Sequence, residues 1–221
     1  MRHGKGKITF ADGTVYEGGW IDDEQSGKGK VFFPNGSMYV GDFLNHEIHG
    51  VGILVDAKGG KYEGEWAHGK RHGKSKLAYP TGGTFEGSYM DGLKHGYGVD
   101  NQTNGAKYEG EFIAGKRHGQ GKLVFPSGAV YTGGFKAGNQ HGQGIMRFVN
   151  GKVREGYFED GKFVKSASRS ESFPGRNVGR SPGRSTQRPH RSPSNAGKQH
   201  NGSGSRSDSR SRSDCADGRS N

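Results

Sequence analysis

The chain is poor in the residues that usually build cores and staples. Its 221 residues include one cysteine, Cys215, two tryptophans, five leucines and seven prolines. A lone cysteine excludes an intramolecular disulfide and a thiolate zinc cluster, so the chain suits a reducing compartment or is indifferent to redox. Leu, Ile, Val and Phe together make up about 16 % of the sequence, below the roughly 20 % under which a charged chain leans toward disorder. That excludes a large conventional globular core. No apolar run is longer than about three residues, Ile53-Leu54-Val55 being typical. Neither a membrane-spanning helix nor the apolar stretch of a signal peptide is visible, and the expected location is cytoplasmic.

What is present in excess is glycine, 43 residues, and it is periodic. Three series recur every 23 residues: 18, 41, 64, 87, 110, 133 and 156; 27, 50, 73, 96, 119 and 142; and 13, 36, 59, 82, 105, 128 and 151. Two aromatic series keep step. Tyr16, Tyr39, Tyr62, Phe85, Tyr108 and Tyr131 each precede by four residues Trp20, Phe43, Trp66, Tyr89, Phe112 and Phe135. Six whole units follow, 16–38, 39–61, 62–84, 85–107, 108–130 and 131–153, flanked by half-units 2–15 and 154–163.

Each unit reads as one β-hairpin. In Tyr62-Glu63-Gly64-Glu65-Trp66 the rings and the glycine share one face and the glutamates the other, the period-2 alternation of a half-buried strand. A glycine between rings lets an aromatic side chain lie over the backbone. Ala67 to His72 reads as a turn-rich segment leading into a second strand, and Pro80-Thr81-Gly82 closes the unit. Hairpins of equal length add side by side. The expected fold is all-β: an elongated antiparallel sheet of about fourteen strands over residues 1–163, a rod in which each unit touches its neighbours.

The motif Y-x-G-x-[WF], followed by G-[KLN]-x-H-G-x-G and an aromatic, resembles the MORN (membrane occupation and recognition nexus) repeat; YEGEWAHGKRHGKSKLAYPTGGT is one such unit. The resemblance covers residues 2–163. It implies a non-catalytic scaffold of β-hairpins that binds protein partners at the cytoskeleton, cilia or basal structures, or a membrane junction. It also implies two alternatives: binding to anionic, phosphoinositide-bearing surfaces, and a regulatory piece of a larger lipid kinase. Two departures stand out. Asp100 and Gln102 occupy positions held by Leu77 and Tyr79 in the preceding unit, and Asp56 holds an aromatic position in unit 39–61. A poorly filled groove face is expected there, either a local irregularity or a polar notch.

The candidate partner-binding residues are the twelve aromatics named above. Lys70, Arg71, Lys116 and Arg117, read as turn residues on one edge, are the candidate lipid-headgroup contacts. No cofactor or metal is expected. His3, His49, His72, His95, His118 and His141 share one register, but equivalent positions lie about 9.6 Å apart, too far for zinc, and a structural role in turns is expected. Glu63, Glu65, Glu109 and Glu111 fall opposite the rings, where a solvated charged surface is expected rather than acid-base catalysis.

After Phe163 the composition changes. Residues 164–221 hold 15 Ser, 12 Lys plus Arg, 4 Asp plus Glu and one aromatic, which gives this segment +8 of the chain's +11. Disorder is the physical expectation. Ser181 and Ser192, each between arginine and proline, are the candidate phosphorylation sites. The tail lacks the interleaved aromatics that stack bases, which argues against nucleic acid as a partner. A homodimer is a further option.

Overall fold

The structure, a computed structural model, describes residues 1–167. They form fifteen strands: β1 (Gly4–Thr9), β2 (Val15–Ile21), β3 (Glu24–Phe32), β4 (Met38–Leu44), β5 (Glu47–Val55), β6 (Lys61–Ala67), β7 (Lys70–Ala78), β8 (Thr84–Met90), β9 (Leu93–Asn101), β10 (Lys107–Ile113), β11 (Lys116–Val124), β12 (Val130–Lys136), β13 (Asn139–Arg147), β14 (Val153–Glu159) and β15 (Lys162–Ser166). All belong to one antiparallel sheet in sequence order. The tail's expected disorder and its Ser181 and Ser192 lie outside the described residues.

There is one strand more than expected because the hairpin turn is tighter than the glycine pattern suggests. Only two residues separate the strands of each unit, and both have positive φ: 49° and 70° at His68-Gly69, 49° and 84° at Asp91-Gly92. This is the two-residue turn whose twist matches that of the flanking strands. Asp160 and Gly161 make the same turn (φ 44° and 83°), which brings Lys162–Ser166 back onto β14. Lys70-Arg71 and Lys116-Arg117 are consequently the first two residues of β7 and β11 rather than turn residues.

A second irregularity repeats in each whole unit. Gly64 is level with Ser75 and Glu65 with His72, so Gly73 and Lys74 have no counterpart on β6. The bulge needs a left-handed backbone, φ 54° at Gly73, which accounts for the second glycine series. His49, His72, His95 and His118 therefore sit in strands, on the rung before the bulge, which corrects their placement in turns. Among the described residues no group of three His, Cys, Asp or Glu could hold a metal ion.

The bulge amide has its own acceptor. Lys74 N–H donates to Glu65 (2.9 Å), Gln120 N–H to Glu111 (3.2 Å) and Val51 N–H to Asp42 (3.0 Å). These carboxylates tie the backbone across the bulge as well as facing solvent. The longer loops between units carry a similar device: Asp12, Asn35 and Asn104 each accept the amide two residues on. Unit 39–61 has Lys58 at that position. There Asp56 supplies the acceptor instead, to Lys58 N–H (2.8 Å) and Gly60 N–H (2.9 Å), which explains an acid where neighbours carry a ring.

Candidate partner-binding face

The two aromatic series build one unbroken ladder on a single face of the sheet. Trp20 meets Tyr16 at 5.3 Å between ring centroids, Tyr16 meets Phe43 at 5.0 Å, and edge-to-face contacts continue unit by unit to Tyr131–Phe158 at 4.9 Å and Phe158–Phe163 at 5.3 Å. Such pairs contribute about 0.5 to 1.5 kcal/mol each beyond the area they bury, so they hold adjacent hairpins together. The rings lie over backbone with no side chain beneath. A Cβ at Gly110 would come within 2.6 Å of the Tyr108 hydroxyl, the Gln120 carbonyl and the Gly121 Cα.

The tyrosines are anchored at both ends. The Tyr16, Tyr62 and Tyr108 hydroxyls donate to the carbonyls of Gly19 (2.7 Å), Glu65 (2.9 Å) and Glu111 (2.8 Å), three residues on. Burial pushes the Tyr131 hydroxyl up to about 12 and that of Tyr108 also to about 12, in the second case against the opposing charge of Arg117. Phe85 is the one member of this series without a hydroxyl, in the same unit that carries Asp100 and Gln102.

All twelve candidate aromatics are buried, none more than 7 % exposed. They form the floor of the face. What an approaching molecule meets is a second layer of partly buried side chains packed on that floor, among them Phe33, Ile48, Leu54, Tyr79, Phe125 and Met146. Parity identifies the ring-bearing face but does not separate floor from contact surface. Five cations lie against rings of this face, Arg2 at Trp20 and Arg154 at Phe163 toward its ends and three between them. The Arg71 guanidinium carbon lies 4.8 Å from the Tyr62 ring, that of Arg117 lies 5.2 Å from Tyr108, and Lys94 Nζ lies 4.3 Å from Phe85. Lys70 and Lys116 are exposed, so each basic pair is divided between ring face and solvent.

One feature of this face is absent from the sequence reading. Lys94 Nζ donates to Asp100 Oδ1 at 2.9 Å, with both side chains more than four-fifths buried. The bulge makes the contact attainable: Lys94 is level with Tyr89 and Asp100 with Phe85, four residues apart along β8, although six separate them in β9. Beside the pair lies a polar cleft of about 300 Å³ lined by Tyr79, Asp100, Gln102 and Asn104. At the position where a poorly filled groove face is expected, Asp100 is held by an ion pair and borders a polar cleft. The clue in the sequence is that acid and cation occur in the same unit.

The opposite face carries Val51 and Tyr97, both more than half exposed, in a shallow cleft of about 810 Å³ with Glu63, Glu65, Lys74 and Glu86 around it. The Tyr97 hydroxyl donates to Glu109 (2.8 Å). Charges of both signs interleave here, without the cation row of the ring-bearing face.

A family model described as MORN repeat matches residues 1–15, 16–38, 39–61, 62–84, 85–99, 108–130 and 131–153. The match in the fifth segment stops one residue before Asp100, whereas the strand continues in register to Asn101. No curated protein sequence matches the chain. Among solved structures, the SAS-4 TCP domain of Drosophila melanogaster, determined with a proline-rich motif of Ana2, is 15 % identical at a TM-score of 0.37, covering 69 % of this chain and 77 % of that one. The TCP10 domain of Danio rerio CPAP, determined with a STIL peptide, is 17 % identical at a TM-score of 0.29, covering 74 % and 84 %. These likenesses are too distant to assign a role.

Proposed function

This chain belongs to the MORN repeat family, and from that premise we propose that it is a non-catalytic scaffold whose ring-bearing face binds protein partners. The observation that carries the reading is the second layer on the ladder. Partly buried Phe33, Ile48, Leu54, Tyr79, Phe125 and Met146 offer apolar contact at one position or another in every whole unit but the fourth, on a continuous sheet of fifteen strands. Such a surface suits an elongated segment that gathers affinity from several shallow contacts. Its place of action in this reading is the cytoplasm, at the cytoskeleton or its junction with a membrane.

Site-specific photo-crosslinking of the intact chain in its native cell tests this. A crosslinking residue at Tyr79 or Phe125 is expected to give discrete protein adducts, and one at Val40 or Val51 on the opposite face is expected to give few. Adducts confined to Val40 and Val51 would move the binding surface to the other face. Adducts at neither would remove the scaffold reading.

A second reading, contact with an anionic lipid surface, is favoured by exposed Lys70 and Lys116 at equivalent positions two units apart. Four strand steps separate them, about 19 Å, so they would meet separate headgroups. Sedimentation with phosphatidylserine vesicles, lost on changing both lysines to alanine and kept with Arg71→Ala, supports it. Equal sedimentation by both variants counts against it.

A further inference from the structure

Gln25, Ile48, Arg71, Lys94, Arg117 and Gln140 form one register series, each level with the second ring of its unit; Arg71 faces Trp66 and Arg117 faces Phe112. Cations occupy the third, fourth and fifth of these places; Arg2, one period before Gln25, also lies against a ring, 4.1 Å from Trp20, and is paired with Asp23 at 3.1 Å. The backbone of the three is held, because the carbonyls of Arg71, Lys94 and Arg117 accept the turn amides of Gly92, Gly115 and Gly138 from the next unit, each at 2.9 Å. Among the described residues, neither Arg71 nor Arg117 has a carboxylate partner, whereas Lys94 is bound to Asp100. The row therefore reads positive, neutral, positive. Its charged ends lie on β7 and β11, four strand steps or about 19 Å apart.

We propose that the ring-bearing face takes an acidic protein segment laid across the strands, with one carboxylate on Arg71, a second on Arg117 and an uncharged residue over the Lys94–Asp100 pair. The inference rests on the scaffold reading and adds the chemistry of its partner. A guanidinium against a ring keeps its planar fork of donors for a carboxylate, and the apolar floor lowers screening relative to the exposed lysines. At about 3.3 Å per residue, 19 Å corresponds to roughly six residues of extended chain. Asp100 acts as the filter: an acid at the middle position would face a carboxylate whose only hydrogen bond is already internal, while a small polar or apolar residue fits the cleft beside Gln102.

The probe is a display library of random 16-residue peptides, selected on the full-length protein and on an Arg71→Ala/Arg117→Ala variant with an unchanged melting temperature. Wild type is expected to recover sequences with two acids about six residues apart. A synthetic peptide of that pattern should bind the double variant roughly three- to thirtyfold more weakly, the span for two partly exposed ion pairs. Two gain-of-function variants copy neighbouring units and are expected to fold. Ile48→Arg adds a third free cation and should tighten binding of a peptide with an added acid on that side. Asp100→Leu, which copies Leu77, frees Lys94 and should admit an acid at the middle position.

Acidic peptides recovered equally by the double variant would mean capture elsewhere, as by the basic residues 164–221, and would overturn the proposal. Peptides without acids that still crosslink to Tyr79 would sink the proposal and leave the scaffold reading standing. Recovery of no peptide that crosslinks to this face would remove both. Loss of phosphatidylserine vesicle binding by the double variant, with peptide binding unchanged, would assign the arginines to a lipid and overturn it as well.

Discussion

Lys94 Nζ lies 2.9 Å from Asp100 Oδ1, and the pair stands where neighbouring units place Arg71 with Leu77 and Arg117 with Leu123. Only the acid alters the charge here, because all three units place a cation at the Lys94 position. An acid in the Leu position is tolerable because a cation from the same strand reaches it across the bulge.

That coupling predicts asymmetric mutational costs. Lys94→Met strands the Asp100 carboxylate and should destabilise by about 3 kcal/mol, the lower end of the range for breaking a buried pair because a polar cleft adjoins it. Asp100→Leu should cost less, since the arrangement at Arg71 shows a cation in this place without an acid. The double change Lys94→Ile with Asp100→Leu reproduces Ile48 and Leu54 and should unfold near the wild-type urea midpoint. Additive losses in the double variant would show that the pair is not coupled.

Gly110→Val should damage the fold far more than Glu109→Ala. A Cβ at Gly110 meets the Gln120 carbonyl and the Gly121 Cα at 2.6 Å, and backbone atoms cannot rotate aside. Overpacking costs about 1 to 3 kcal/mol where side chains can adjust, and more is expected here. Glu109→Ala removes one exposed bond from Tyr97 and should stay within about 0.5 kcal/mol. Similar melting temperatures for the two variants would contradict the packing of rings on bare backbone.

The contrast between those positions shows how much of the fold is written locally. A face is legible wherever residue type alternates at period 2, so Tyr108, Gly110 and Phe112 identify the buried side without further information. The two-residue turn is not: His68 and Ala114 adopt φ near +50° though neither residue type signals it, and the neighbouring glycine alone does not reveal the turn's length. The bulge is hidden for a related reason. It adds two residues to one strand and so leaves parity intact, and Arg71 keeps the ring-bearing face that its spacing from Leu77 would give it in a straight strand. Carboxylate caps such as Glu65 are invisible until the bulge has placed the Lys74 amide beside them. The binding surface is legible only as a side of the sheet, because burial of Tyr62 and exposure of its neighbours depend on rings supplied by the next unit.

Asp42 should give the fold an acid-sensitive component. Burial acts to raise its carboxyl, but it is outweighed by Lys28, whose ammonium lies 2.7 Å away, and by the Val51 amide, so the folded value is lowered. A lowered value contributes stability that is complete above the unfolded value of about 3.9 and is lost as pH falls through the folded one. Asp42→Asn should therefore melt below wild type by a constant margin from neutrality down to about pH 5, and the margin should shrink as pH drops further. A margin that persists unchanged in strong acid would mean that Asp42 acts by packing rather than charge.

The ladder tyrosines impose the opposite limit. Burial pushes Tyr89, Tyr108 and Tyr131 each up to about 12, against about 10 in an unfolded chain. A raised value contributes stability that is fully present below the unfolded value and is lost as pH rises through the folded one, so the fold should weaken progressively from about pH 10 to pH 12. Tyr108→Phe isolates one contributor and is structurally conservative, since Phe85 fills the same place two strands away. At neutral pH it forfeits the hydroxyl bond to the Glu111 carbonyl and should cost about 1 kcal/mol. In alkali it has no phenol to ionise, so its melting temperature should fall more slowly than that of wild type and the two curves should converge. Ultraviolet titration of the phenolates supplies the independent check: the buried class should ionise together with unfolding. Parallel melting curves, or phenols that all titrate near 10 while the sheet remains folded, would show that the ladder is open to water.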